Sequence, residues 1–483
     1  MKKFLYLGFV FGFLQVFTLN ATHIKCGYIT AERIYNTSLS YKLIVTLLGD
    51  TGSSVPFGGG NIDFGDGTVI NLDAGVDPFI RTEVIDAEGR VSLNILEIIH
   101  TFSSSGSYIV RFNERNRNAG ILNMSNSVDT PFYIESTVVI DPFLGSNNLP
   151  YIENVEIPQW ISGQSGHFNI AAFDLEGDSI SFKLGVPRQS RDRYVDEYRD
   201  PVDPSFYPNT FSKGNESQDG KPIFEIDHIT GDLIWDAPGL AGEYNTVIII
   251  EEWRKVEGKR YKMSRMYFDF QMIVEPGDII KPSIVIPENQ CYADGEIIEE
   301  SFLVEGQTNM KVDLYTDAEG VMINDVPIDD YNFDILKPLH ELKFTYDSKN
   351  ASQQYYKVVL KVEAEQDQPK YLNYLWSKAF FFGLSCDEII EAPQIVTSVN
   401  RETEILEFTT YFTQTSGTIY FGKFSLQDAS FQLFDINGKS ILNKNVQFDQ
   451  GVSKVMFDAL PSGIYIASLE AESNLYKQKV LIR

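Results

Sequence analysis

The sequence predicts an all-β protein built of several β-sandwiches in tandem, and three observations carry that prediction. Aromatic content is 13%, dominated by 34 Phe and 25 Tyr, and Gly and Pro are frequent, while long amphipathic helical patterns are hard to find. Three separate stretches, Gly106-Ser107-Tyr108, Gly242-Glu243-Tyr244 and Gly463-Ile464-Tyr465, each lead directly into an apolar run. Near the C-terminus, Asn437-Gly438 stands between two alternating apolar-polar runs. That pair marks a hairpin, because a type I′ turn needs φ > 0 at both central positions. A chain of 483 residues suggests three to five domains, each with enough chain to bury a core.

The chain opens with a secretory signal pattern over residues 1–21. Met1-Lys2-Lys3 is a basic start, and Phe4 to Leu19 is an apolar run too short for a stable membrane anchor. Ala21 is the expected last residue before cleavage, leaving Thr22 as the mature N-terminus. Cys26 follows His23-Ile24-Lys25, which is not a lipobox. No later segment approaches twenty apolar residues, so no transmembrane span is expected.

Residues 22–140 form the first expected module. Ser40 to Leu48 reads as a strand. Gly58-Gly59-Gly60 is a turn and lacks the Lys-Ser/Thr and helix of a phosphate loop. Asp63-Phe64-Gly65-Asp66-Gly67 is followed by His100-Thr101-Phe102 and then Gly106-Ser107-Tyr108-Ile109-Val110. These blocks resemble the PKD repeat, an Ig-like β-sandwich. The Trp usual before the turn is replaced by Asn61-Ile62, and the insertion between blocks is long. Thr22-His23-Ile24 and the strand after it resemble the start of Bacteroidota surface and gliding-associated proteins.

Residues 149–275 form the second. Asp174-Leu175-Glu176-Gly177-Asp178 lies between apolar strands, and later come Phe224-Glu225-Ile226-Asp227, Thr230-Gly231-Asp232-Leu233-Ile234-Trp235 and Gly242-Glu243-Tyr244. That order of blocks resembles the cadherin-like, putative-Ig modules of bacterial surface proteins. In Ig-like sandwiches a Tyr near the start of strand F bonds back to the backbone at the corner, which gives the Gly-x-Tyr echo a structural meaning. Arg188 to Pro222 is a long polar insertion carrying Tyr194, Tyr198, Phe206 and Tyr207. Long loops on a rigid sandwich are where binding usually lives. A covering loop with its own small cluster is the alternative.

Residues 281–387 read as a further β-sandwich of no nameable family. Cys291 opens it and Cys386 closes it, so the two are paired as a disulfide permitted by an oxidising periplasm. Cys26 is then left over.

Residues 401–483 contain Phe434-Asp435-Ile436-Asn437-Gly438-Lys439, then Leu460-Pro461-Ser462-Gly463-Ile464-Tyr465, then Lys479-Val480-Leu481-Ile482. These three blocks, in this order, resemble the type A C-terminal sorting domain of the type IX secretion system of Bacteroidota. The resemblance implies export across the outer membrane, with the type IX machinery as partner of residues 401–483. It also accounts for the N-terminal signal.

The formal net charge is −27, and residues 401–483, with nine acids and eight bases, contribute almost none of it. So acidic a passenger argues against nucleic acid, which needs clustered Lys and Arg. Motifs for catalysis are missing. The five His form no H-E-x-x-H pair, no G-x-S-x-G elbow occurs, and no Cys has a protease context. The candidate site is cationic: Asp174, Glu176 and Asp178 alternate around Gly177 and offer oxygens of the kind calcium takes, with Asp227 or Asp232 able to join. A turn closed by its own Asp side chain is the bland alternative. The expectation is a secreted or cell-surface protein, not an enzyme, acting in adhesion, surface interaction or gliding-associated contacts with a surface protein or glycan. The alternatives are a carbohydrate-binding surface protein using the Arg188–Pro222 aromatics and a secreted enzyme of unrecognised family in 281–387.

Overall fold

The computed structural model describes residues 24–52, 59–73, 78–85, 90–207, 211–279, 281–284, 290–292, 295–305, 310–328, 339–350, 355–365 and 373–383, and in the last unit 409–412, 416–421, 428–435, 439–447, 453–458, 463–471 and 474–482. The signal segment 1–21, Cys386 and the Asn437-Gly438 turn lie outside these residues. The chain divides into two compact units, Met1–Val396 and Thr397–Arg483. The described elements are strands joined by turns and four short 3-10 helices, so the all-β expectation holds.

The first unit is organised by one hairpin, Gly242–Val256 with Lys259–Glu275. At about 3.3 Å per residue its second strand extends roughly 55 Å, long enough to serve two modules. Ser264, Arg265 and Met266 pair with Phe132–Ile140, and Asp269 and Phe270 pair with Ile24–Arg33. Farther along, Ile273–Glu275 runs parallel to Gln159–Ile161. The resulting sheet takes the order Val69–Asn71, Asn61–Asp63, Gly106–Glu114, Phe132–Ile140, Lys259–Glu275, Ile24–Arg33, Ser40–Asp50, Val91–Thr101, Arg81–Val84. Hydrogen bonding therefore crosses the boundary expected between 140 and 149.

The shared strand is covered on both faces. Met266, Phe268, Phe270, Met272 and Val274 enter the main core. The alternate residues meet other partners: Tyr267 packs with Val247 and Ile249, Asp269 takes Arg117, and Gln271 accepts from Asn118. Period-two alternation thus separates an apolar face from a polar one that is also buried. Gly27 faces Asp269 across the ladder, and a Cβ there would stand 2.7 Å from Leu47 and 2.8 Å from Phe132, so the close approach of these strands requires glycine.

The sequence blocks of the first module converge at one corner. Phe64 stacks on His100 at 4.0 Å between centroids, and His100 Nε2 lies 2.8 Å from Asp66 Oδ2. Gly65, at φ +78°, lies where a Cβ would meet the Ile109 carbonyl at 2.6 Å. Tyr108 donates to the Ser104 carbonyl at 2.8 Å, and Tyr244 to the Leu240 carbonyl at 2.7 Å. Both hydroxyls reach back four residues, so two of the three Gly-x-Tyr motifs make the same corner.

The described residues between 283 and 383 form two facing four-stranded sheets. One runs Ser283–Ile284, Ile297–Glu305, Leu339–Asp347, Met322–Ile328, and the other Gln290–Cys291, Asn373–Gly383, Tyr355–Glu365, Met310–Thr316. Polar bonds lock this sandwich to Asn169, Ala172 and Asp232 of the preceding stretch. Ser377 Oγ receives the Asn169 N–H at 2.6 Å, Asp232 accepts from the Ala379 N–H at 2.9 Å, and buried Lys357 donates to the Ala172 carbonyl between the rings of Phe173 and Phe182. Cys26 is buried as a free thiol.

The second unit has a three-stranded sheet (Thr409–Phe412, Ser416–Phe421, Ser453–Asp458) and a four-stranded one (Ser440–Gln447, Asp428–Asp435, Gly463–Ala471, Asn474–Ile482). Asp428–Asp435 and Ser440–Gln447 are antiparallel partners, as the Asn-Gly signal predicts. No helix among the described residues is long and apolar enough to cross a membrane.

Candidate metal centre

The turn at 174–178 closes on its own first residue. Asp174 Oδ1 accepts the N–H of Glu176 at 3.0 Å and of Asp178 at 2.6 Å, and Gly177 takes φ +81°. This is the turn chemistry that Asp and Gly supply. It leaves Asp174 Oδ2 buried with no hydrogen-bond partner.

The turn leads into the strand Ser179–Gly185, which pairs antiparallel with the long strand Gly242–Val256, Ile180 standing opposite Glu252. The long strand carries two adjacent buried glutamates whose side chains meet opposite charge environments. Glu251 meets Lys262 Nζ at 2.5 Å, Lys183 Nζ at 3.4 Å and Arg265 Nε at 3.8 Å. Burial alone would raise its pKa, but these three cations hold it below the usual value. Glu252 has no such cations in contact. Its Oε2 accepts from Ser264 Oγ at 2.6 Å and Asn147 Nδ2 at 2.9 Å, while Oε1 is buried and unbonded. The ladder register shifts between Glu252 and Trp253. Such bulges redirect side chains.

Asp174, Asp178 and Glu252 each offer one carboxylate oxygen, and these oxygens lie within 4.8 Å of one another. Asp174 is 5% exposed and Glu252 fully buried. Burial, followed by the neighbouring carboxylates, pushes both pKa values upward. Arg254 is the cation at hand. It grips Asp178 through Nε at 3.0 Å and Nη2 at 2.5 Å, and it ties in the connecting segment through the carbonyls of Leu144 and Ser146 and the side chain of Asn147.

The structure brings together two of the three acids singled out in the sequence. Glu176 turns away, and its Oε1 accepts from the Asn148 backbone at 3.1 Å and from its side-chain amide at 2.5 Å. Asp227 caps its own turn through the N–H groups of Ile229 and Thr230. Asp232 serves the joint with the third sandwich. Asp63 and Asp66 are answered by Arg111 and His100. Sequence reading missed Glu252. Its only signal was a pair of acids, Glu251-Glu252, following the apolar run Val247–Ile250 without a break. The expected Cys291–Cys386 disulfide lies outside the described residues.

The Arg188–Pro222 insertion carries its aromatics mostly inward. Phe206 packs edge-on against Tyr244, and Tyr207 donates to the Ala237 carbonyl while accepting from Trp235 Nε1. Tyr194 stands open, beneath the Arg188 guanidinium.

The described elements are almost all strands, and the C-terminal residues form a β unit of their own. Residues 414–483 match the family model described as the secretion system C-terminal sorting domain. This type IX tail marks proteins sent to the cell surface or the extracellular space. Among solved structures, the chain is similar to a three-Ig structure of titin domains I67–I69 in an E-to-A mutated variant. The identity is 8%, covering 68% of this chain and 96% of that one, with a TM-score of 0.15. Comparison with curated proteins finds no match.

Proposed function

We propose that the passenger acts at the cell surface as a non-catalytic interaction arm, in adhesion or gliding-associated contact with another surface protein. The observation that carries this reading is the sorting domain at 414–483 behind an all-β passenger. The sorting domain fixes the destination, and a passenger of packed sandwiches offers loops and edges for contact. The stretches that resemble PKD-like and cadherin-like modules share the strand Lys259–Glu275, and the sandwich within 283–383 is bonded to them through Lys357, Ser377 and Ala379. Such joints suit a stiff arm that projects a binding end. A protein partner is favoured over a glycan because Phe206 and Tyr207 are buried, which leaves the insertion little aromatic platform.

The test is a strain in which residues 22–400 are replaced by an unrelated soluble reporter fused to residues 401–483. The reporter is expected at the surface while adherence or spreading is lost. Adherence and spreading equal to wild type would overturn the reading.

A further inference from the structure

We propose that Asp174, Asp178 and Glu252 bind a divalent cation of the calcium type, which fastens the 174–178 turn to the long strand of the shared hairpin. This goes beyond the interaction reading and stands whichever partner the arm contacts.

The geometry comes first. Ligands held 2.3–2.6 Å from one calcium ion lie at most about 5 Å apart. The three carboxylate oxygens, within 4.8 Å of one another, meet that condition. They come from the 174–178 turn and from the strand Gly242–Val256, with which Ser179–Gly185, the strand after the turn, pairs directly, and a register shift of the hairpin stands beside Glu252.

The unused acceptors point to a ligand independently of the acid count. Buried polar atoms are nearly always satisfied. Here Glu252 Oε1 and Asp174 Oδ2, on side chains at least nine-tenths buried, have no hydrogen-bond partner, although the other oxygen of each is fully engaged. Leaving a buried carboxylate oxygen unmet is costly, whereas a cation between the two would satisfy both.

Charge leads to the same place. With all three carboxylates ionised, as ligands to a cation would be, the one guanidinium, Arg254 on Asp178, leaves two positive charges to be supplied. Glu251, one residue away, shows how the same strand treats a buried acid meant to be neutralised by side chains: it is given two lysines and an arginine. Glu252 is given Ser264 and Asn147, which orient a carboxylate without neutralising it. All donors in reach are oxygens, which selects a hard cation, with water completing the shell.

The experiment titrates calcium chloride into the chelator-treated mature chain, followed by calorimetry and thermal melting. About one equivalent is expected to bind, with a Kd on the order of 10⁻⁴ to 10⁻³ M as in extracellular modules, and the melting temperature is expected to rise by several degrees. Glu252→Gln and Asp174→Asn lose the calcium response, yet in chelator they melt at or above the wild-type temperature because one buried carboxylate has gone. Glu176→Gln keeps the response. A wild-type chain indifferent to calcium, as two carboxyls sharing a proton would be, overturns the proposal. So does stoichiometric binding retained by Glu252→Gln. Should a variant fail to fold, the wild-type titration alone still decides.

Discussion

Arg117 clasps Asp269 through two parallel hydrogen bonds, Nη1 to Oδ1 at 2.9 Å and Nη2 to Oδ2 at 2.6 Å, with both side chains about 1% exposed. Arg117 belongs to the segment after the Gly106–Glu114 strand, and Asp269 to the shared strand. The pair therefore bonds the segment after Gly106–Glu114 to the Gly242–Val256/Lys259–Glu275 hairpin. Asn245 joins it from the other hairpin arm, 2.8 Å from Asp269 Oδ1.

Breaking that clasp leaves a buried charge without its partner. Arg117→Met is expected to cost about 3–5 kcal/mol in chemical denaturation. The double variant Arg117→Met/Asp269→Leu should recover much of the loss, since removing both charges removes the penalty. A single variant within 1 kcal/mol of wild type would show that the joint does not depend on the pair.

The two tyrosine corners should differ in worth. Tyr244 is buried against Trp235 and Phe206, and its hydroxyl reaches Leu240 at 2.7 Å. Tyr244→Phe is expected to cost about 1–2 kcal/mol. Tyr108 makes the same bond to Ser104 at an exposed position, so water replaces it and Tyr108→Phe should cost less than about 1 kcal/mol. Urea melts of the two variants check the order.

Acid sensitivity has an identifiable contributor. Burial, with Lys378 and Lys281 near, lowers the His167 pKa to about 4, although Glu216 and Asp236 pull the other way. The folded value lies below the unfolded one near 6.5, so the stability that neutral His167 provides is present above about pH 6.5 and is lost as pH falls towards 4. His167→Gln should gain on wild type progressively across that window. Parallel stability curves for the two proteins would contradict this assignment.

How much of this was legible in the sequence depended on distance along the chain. The 63–67 turn, the Gly-x-Tyr corners at Tyr108 and Tyr244 and the 174–178 turn follow from short local patterns, and the structure forms each of these. The sorting domain was readable for the same reason: three short blocks in fixed order. The shared strand was not. The alternation Met266, Phe268, Phe270, Met272 announces a strand and its core face, but nothing local names the neighbours that Asp269 and Phe270 find in Gly27 and Cys26. Glu252 escaped because its partnership with Asp174 spans two sandwich elements. For Phe206 and Tyr207 the sequence left a binding loop and a covering loop both open, and only the fold carries them under Trp235.

The central claim is that the C-terminal unit delivers the passenger outside the cell. Deleting residues 401–483 and fractionating the cells tests it most directly. The truncated chain is expected to accumulate folded in the periplasm and to disappear from the surface and the medium. A truncated chain that still reaches the surface or medium in wild-type amounts would contradict the account.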